Sequence, residues 1–139
     1  MEYKRFDNQI VLRLDCGDEI STAVLNVAKA ENITLASISG IGAADDIDVG
    51  VFDIAAKQYV NYHFCGNHEI TSLTGNLTTK DGECYSHLHI TLAGEGANIV
   101  GGHLLKGIIS LTAEIVITII DGKVDRKFDP APGINKISF

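Results

Sequence analysis

One stretch of the chain carries apolar residues at helical spacing. Ile20, Ala23, Val24, Val27 and Ala28 fall at i, i+3, i+4, i+7 and i+8, which predicts an amphipathic helix from Asp18 to about Glu31. Asp18 and Glu19 then lie in the first turn, where the helix dipole favours negative charge. Gly17 or Asp15 is the expected cap and Asn32 the expected stop.

Elsewhere the pattern alternates with a period of two or is continuously apolar, which predicts strands. Ile10–Leu14 precedes the helix and Thr34–Ser39 follows it. Ile47–Asp53 is a further strand segment. In Tyr59–Phe64, Val60, Tyr62 and Phe64 share one face, and Tyr59, Asn61 and His63 the other. Ile70–Thr79 and Cys84–Leu92 flank Asp81-Gly82, a pair that supplies the positive φ angles of a tight hairpin. Asp121-Gly122, between Ala113–Ile120 and Lys123–Phe128, predicts a second hairpin by the same argument. Asp129–Gly133 reads as a loop and Ile134–Phe139 as a short terminal strand. The prediction is a single strand-dominated α+β domain over residues 1–139. One helix cannot cover so much sheet, and a bare sheet face is usually kept polar or covered by a partner subunit. Self-association is therefore expected.

Composition narrows the class. A chain of 139 residues fits one domain. Its 45% hydrophobic content is too high for a disordered chain. No apolar run approaches the ~20 residues of a membrane helix, and Met1–Phe6 lacks the apolar stretch of a signal peptide. The three cysteines, Cys16, Cys65 and Cys84, are odd in number and form no C-x-x-C pair. Reduced thiols and a cytoplasmic location are expected. With 11 Lys+Arg against 18 Asp+Glu, the net charge is −7, which opposes non-specific binding to nucleic acid.

Candidate chemistry concentrates in Cys84-Tyr-Ser-His-Leu-His-Ile-Thr-Leu92. On a strand, Leu88, Ile90 and Leu92 face the core, and Tyr85, His87, His89 and Thr91 face away. Imidazoles two residues apart on one strand face can converge on one ion. Gly101-Gly-His-Leu104 offers the third ligand, His103, and its glycines allow close backbone approach. Three histidines with a fourth position open form the arrangement of catalytic zinc. Neutral imidazole also suits nickel, copper or iron, and the alternative reading is a polar, hydrogen-bonding cluster with no ion. His63 and His68 carry weaker signals. Glu69 begins the strand that the Asp81-Gly82 hairpin places beside the histidine strand. It is a candidate for orienting a ligand or shuttling a proton, or else an edge charge. Arg13 lies opposite the apolar face of its strand and is a candidate anion clamp, or else a surface ion pair.

Two motifs are weaker. Gly40-Ile-Gly42 follows a strand, but a strand-like segment follows it where a dinucleotide site needs a helix. Tight-turn glycines account for it better. Lys123, Arg126 and Lys127 read as a solvated face, because Asp125 shares a face with the two lysines.

Five segments together resemble the PPC (plant and prokaryote conserved, DUF296) domain. They are Leu12–Ile20, Ser37–Ala43, Glu69–Asn76, His87-Leu-His89 and Gly101-Gly-His-Leu104. The resemblance implies a large mixed, mostly antiparallel sheet assembled as a homotrimer. It also implies that His87, His89 and His103 form a cluster able to hold zinc, with ligands gathering near a subunit boundary. Plant members carry AT-hook segments and bind DNA, and stand-alone prokaryotic members are often described as DNA-binding by analogy. No Arg-Gly-Arg-Pro hook occurs in these residues. The implied fold is similar to that of acetolactate decarboxylase, which has a three-histidine zinc site. The functions in competition are a metal-binding regulatory module touching DNA or a DNA-bound partner, a zinc enzyme acting on a small carbonyl or carboxylate compound, and a sensor holding a small anion at the metal.

Overall fold

In the computed structural model, which describes residues 1–139, the apolar stripe forms helix α1, Ile20–Ala30. Its five stripe residues are all buried. The cap is Glu19, neither Gly17 nor Asp15. The Glu19 carboxylate accepts from the backbone N–H groups of Ser21 (3.1 Å) and Thr22 (2.7 Å), filling two of the helix's free donors. Asp18 is engaged one turn earlier, accepting from the Asp15 N–H at 2.8 Å. Asn32 ends the helix as expected, in the left-handed region (φ 55°). The Ile33 and Asn32 N–H groups then return to the Ala28 and Lys29 carbonyls, the paired bonds of a Schellman stop.

Eight strands make one sheet: β1 (Glu2–Phe6), β2 (Gln9–Asp15), β3 (Ala36–Asp53), β4 (Gln58–Lys80), β5 (Glu83–Ala93), β6 (Ile99–Ile119), β7 (Asp125–Asp129) and β8 (Ile134–Ser138). The neighbour order is β1-β2-β6-β3-β4-β7-β8, and β5 bonds to both β4 and β6. β3, β4, β5 and β6 therefore form a closed ring of hydrogen-bonded neighbours. All pairings are antiparallel except the single parallel bridge of β4 with β7, Thr79 to Asp125. The sheet is thus mixed and mostly antiparallel, with one main helix, as expected.

Three strands are longer than the sequence pattern suggested. Thr34–Ser39 and Ile47–Asp53 belong to one strand, β3, because bulges at Gly40/Gly42 and Ala44/Asp46 carry it through the apparent break. Tyr59–Phe64 and Ile70–Thr79 likewise join in β4, and the glycine-rich stretch before Leu104 joins the apolar run after it in β6. Gly40 and Gly42 are accordingly not turn residues. A Cβ on Gly42 would lie 2.5 Å from the Thr112 carbonyl oxygen, so this glycine lets β3 and β6 approach.

The Asp81-Gly82 hairpin forms, with φ of 53° and 85° suited to a type I′ turn. Asp121-Gly122 makes no hairpin. β6 already pairs with β2 through Thr112–Thr118 and with β3 on its other side, so the chain finds no free edge on which to fold back. It crosses instead to the end of β4, where β7 pairs with β8. The strand at Glu2–Phe6 carries too few apolar residues to be seen by alternation.

One core lies between α1 and the sheet. It gathers Ile10, Leu12 and Leu14 of β2, Leu73 and Leu77 of β4, Leu88, Ile90 and Leu92 of β5, and Ile115 and Ile117 of β6. Full burial of one such side chain contributes about 1.5–3 kcal/mol. These residues fix the register, since a one-residue slip would turn them outward. No helix is long and apolar enough to cross a membrane.

Candidate metal centre

Core packing decides where the histidines point. Leu88 and Ile90 of β5 are buried, so His87 and His89 project from the opposite face. Across the ladder His89 stands opposite His103, the first residue of β6 beyond the two glycines. His103 also pairs with Gly50 of β3, placing it at the junction of three strands. Gly101 pairs with Thr91, and a Cβ there would lie 3.1 Å from Thr91 Cα as well as on the Ile90 carbonyl. The glycines thus serve the close approach predicted for them. Gly75 on β4 does the same against the His87 carbonyl.

The three rings converge. Ring centroids lie 5.2 Å apart for His87–His89, 5.0 Å for His87–His103 and 5.4 Å for His89–His103. One nitrogen from each lies within 4.8 Å of the other two. Burial pushes the His103 imidazole down to about 4, helped by His87 and His89 beside it. Burial also lowers His87, followed by the charge of Arg126 and then His89. At neutral pH both are uncharged, the form that binds metal. The buried Nδ1 of His103 has no hydrogen-bond partner, and a buried polar atom without one is costly. Together these features fit a divalent transition metal, and the cluster could hold one.

A cleft of about 260 Å³ opens beside His87 and His103. Tyr59 stacks on His103, with centroids 4.9 Å apart. Arg126 lies under Tyr85, its guanidinium 4.9 Å from the ring centroid. Arg126 is only 6% exposed, which corrects the solvated-face reading. It donates to Thr78 Oγ1 (2.8 Å), Asn76 Oδ1 (2.8 Å) and the Asn135 carbonyl (3.1 Å). None of these carries a charge, so the guanidinium is a buried cation without a carboxylate. The sequence held a clue: Lys123, Asp125 and Lys127 share one face, leaving Arg126 on the other. Tyr85 was visible by its parity with His87. Tyr59 could not be tied to His103 before the β3–β4 and β3–β6 pairings were known.

Glu69 and Arg13 stand apart from the cluster within this chain. Glu69 pairs with Ala93, at the far end of β5 from His87, and lines a separate groove with Ile41, Leu111 and Glu114. β4 begins eleven residues earlier than Glu69, at Gln58, which carries that residue past the histidines. Arg13 is in ion pairs with Asp15 (3.1 Å) and Glu2 (3.2 Å) on β2 and β1. His68 accepts no ligand position in the cluster; its Nδ1 donates to the Gly66 carbonyl at 2.6 Å.

The chain is thus a mixed-sheet protein with one helix on its core face and, at a strand junction, three histidines that could hold a metal. The chain belongs to the Plants and Prokaryotes Conserved (PCC, or PPC) domain family, whose profile matches residues 1–121. It is similar to a candidate DNA-binding protein from Bacteroides thetaiotaomicron, with 30% identity and a TM-score of 0.96, covering 99% of this chain and 96% of that one. A PPC protein from Pyrococcus horikoshii is 32% identical, with a TM-score of 0.85 and coverage of 96% and 92%. A metal-containing protein from Archaeoglobus fulgidus is 29% identical, with a TM-score of 0.85 and coverage of 97% and 95%. Acetolactate decarboxylase from Bacillus subtilis shares the fold alone, at 16% identity and a TM-score of 0.61, covering 84% of this chain and 54% of that one. No curated protein matches the chain.

Proposed function

We propose that this chain is a metal-binding regulatory module of the PPC family that works as a homotrimer on DNA or on a DNA-bound protein. The observation that carries the metal is the convergence of His87, His89 and His103, with the buried Nδ1 of His103 unpartnered. The Archaeoglobus relative, described as metal-containing, supports it. Zinc fits three neutral imidazoles with a position left open. A bound ion would supply Lewis acidity or a hydroxide at neutral pH. The chain's own residues would hold it and shape its surroundings: Tyr59 covers His103, and Arg126 places positive charge beside His87.

The DNA part rests on the description of the Bacteroides relative and of a second relative from Ralstonia eutropha. The charge of this chain sets terms for it. Arg5, Arg13, Lys80, Lys106 and Lys136 are in ion pairs with acids, and Arg126 is buried. Lys4, Lys29, Lys57, Lys123 and Lys127 remain as cations for phosphate. A DNA complex would therefore be weak and strongly salt-dependent. Self-association is supported by the groove at Ile41 and Leu111, which are 57% and 70% exposed within the single chain.

A second reading is a zinc-dependent enzyme acting on a small carbonyl or carboxylate compound, favoured by one observation. Arg126 is a buried cation without a carboxylate, lining the cleft that His87 and His103 also line. A small carboxylate would complete its charge. A sensor holding such an anion without turnover rests on the same contact.

Metal analysis of protein purified without a histidine tag tests the first reading. One equivalent of metal per chain is expected, lost in His87→Ala and His89→Ala; metal-free protein after zinc is supplied would refute it. Mobility shifts at low and raised salt test DNA binding, and no shift at micromolar protein would remove that part. Thermal stabilisation by keto and hydroxy acids, followed by assay for turnover, separates sensor from enzyme.

A further inference from the structure

A second set of reactive groups gathers on the β3–β4 ladder, away from the three histidines. Asp48 pairs across the ladder with His63, and Asp46 with Cys65. The His63 ring joins two of these residues. Its Nδ1 lies 2.6 Å from Asp48 Oδ1, and its Nε2 lies 2.9 Å from Cys65 Sγ.

The protons in this chain of contacts follow from the chemistry of the ends. An ionised carboxylate can only accept, so Nδ1 donates to Asp48. That leaves Nε2 as the acceptor, and the Cys65 thiol donates to it. A thiol donating to an imidazole that is itself oriented by a carboxylate is the arrangement that activates a sulfur nucleophile.

Further charged groups surround the ring. Asp46 Oδ1 is a second carboxylate oxygen facing the ring, 3.9 Å from Nδ1. It is shielded from solvent and accepts no hydrogen bond. Lys106 binds the other oxygen of Asp46 at 2.6 Å, and this contact holds the Asp46 carboxyl below its usual range. His63 thus faces the Asp48 and Asp46 carboxylates, the latter tied to Lys106, and these contacts hold the ring with Nε2 toward the Cys65 thiol. Cys65 is exposed, so a substrate can approach from solvent.

The other cysteines lack these contacts. Cys16 is exposed, with no imidazole against it. Cys84 is half-buried, and burial pushes its thiol up. The grouping was not legible before the fold was known, because His63 and Cys65 lie on one strand while Asp46 and Asp48 arrive from another.

We propose that Cys65, with His63 as its base and Asp48 as a positioning residue, is a nucleophilic thiol site that takes an acyl group from thioesters or activated esters. In the step, the Cys65 S–H proton passes to His63 Nε2 and the sulfur attacks the acyl carbon. The carbon–oxygen or carbon–sulfur bond to the leaving group breaks as the S–acyl bond forms. The departing alcohol or thiol takes the proton from His63. The products are S-acyl-Cys65 and the free alcohol or thiol, with no oxidant or reductant required.

The test uses the full chain and p-nitrophenyl acetate, with p-nitrophenolate release followed optically and the acetylated peptide located by mass spectrometry. At pH 7 the expected result is one acetyl group on Cys65, added about tenfold or more faster than on Cys16, because an imidazole is placed to take the Cys65 proton as the sulfur attacks and none is placed at Cys16. His63→Gln should bring Cys65 down to the Cys16 rate, and its rate should then climb with pH like that of an unassisted thiol. Asp48→Asn should slow acetylation of Cys65 and change its pH–rate profile, while leaving the Cys16 rate unchanged. Cys84, half-buried against the core, reports by its slow acetylation whether each variant remains folded. Equal rates at Cys65 and Cys16 in the native chain, or a Cys65 rate unmoved by His63→Gln, would overturn the proposal. Neither result bears on metal binding at the three histidines.

Discussion

His89 of β5 and His103 of β6 are direct cross-strand partners, with ring centroids 5.4 Å apart. Thirteen residues of chain lie between them, yet the antiparallel ladder sets them side by side. His87 joins from two positions back on β5, so one strand pair supplies all three imidazoles.

The metal-free protein should lose stability as pH falls from about 6.5 toward about 4. His103 is lowered to about 4 in the folded chain, against about 6.5 for an unperturbed imidazole. Between these values the unfolded chain binds the extra proton, so stability rises with pH across the window. The contribution is complete above the unfolded value and gone below the folded one. Urea unfolding after chelator treatment, repeated between pH 4 and 7, measures this slope. His103→Gln should flatten it. Bound metal should be released over a similar range, because protonated imidazole cannot ligate.

Gly101→Ala should weaken both the fold and metal binding. The added methyl would meet the Ile90 carbonyl and Thr91 Cα, forcing β5 from β6 where His89 faces His103. A loss of about 1–3 kcal/mol is expected, the usual cost of overpacking. Chemical denaturation gives the stability, and zinc titration by calorimetry should show a weaker Kd. Unchanged affinity in a folded variant would mean that the ladder spacing does not set the site.

Arg126→Gln should raise the pKa of His87. The guanidinium charge is among the causes holding it down, second to burial, and its removal makes protonation easier. NMR titration of the His87 ring in metal-free protein reads the direction. The same change leaves Asn76 and Thr78 short of a charged donor, which should cost about 1.5–3 kcal/mol and loosen β7 and β8.

Leu111→Glu should break the proposed trimer without unfolding the chain. Leu111 is 70% exposed on β6 and shares a groove with Ile41, Glu69 and Glu114. A third carboxylate there would repel a subunit seated on it and costs the isolated chain little. Light scattering should give three chains for the native protein and one for the variant. A native protein that runs as one chain would overturn the assembly.

Much of this molecule was legible in its residues because burial imposes a period. The stripe from Ile20 to Ala28 gave the helix, and alternation in Cys84–Leu92 gave both the core face and the histidine face. Asn32 and Asp81-Gly82 could be placed because their positive φ angles favour few residue types. Gly101-Gly102 marked His103, since bare backbone signals a close approach. Glu19 was missed as the cap because a carboxylate there depends on local geometry rather than composition.

What lay beyond the sequence was the pairing of strands far apart in the chain. Asp121-Gly122 has hairpin chemistry, but β2 and β3 already occupy both edges of β6, and edge occupancy belongs to the whole sheet. The same pairing carried Glu69 and Arg13 away from the histidines, buried Arg126 beside them, and set Asp48, His63 and Cys65 in line. The sequence by itself determined which residues must be buried, hence the helix, the strand faces and the direction of His87 and His89. Tertiary structure alone decided which strand lies against which, because register and edge sharing are settled by long-range packing that no local period encodes.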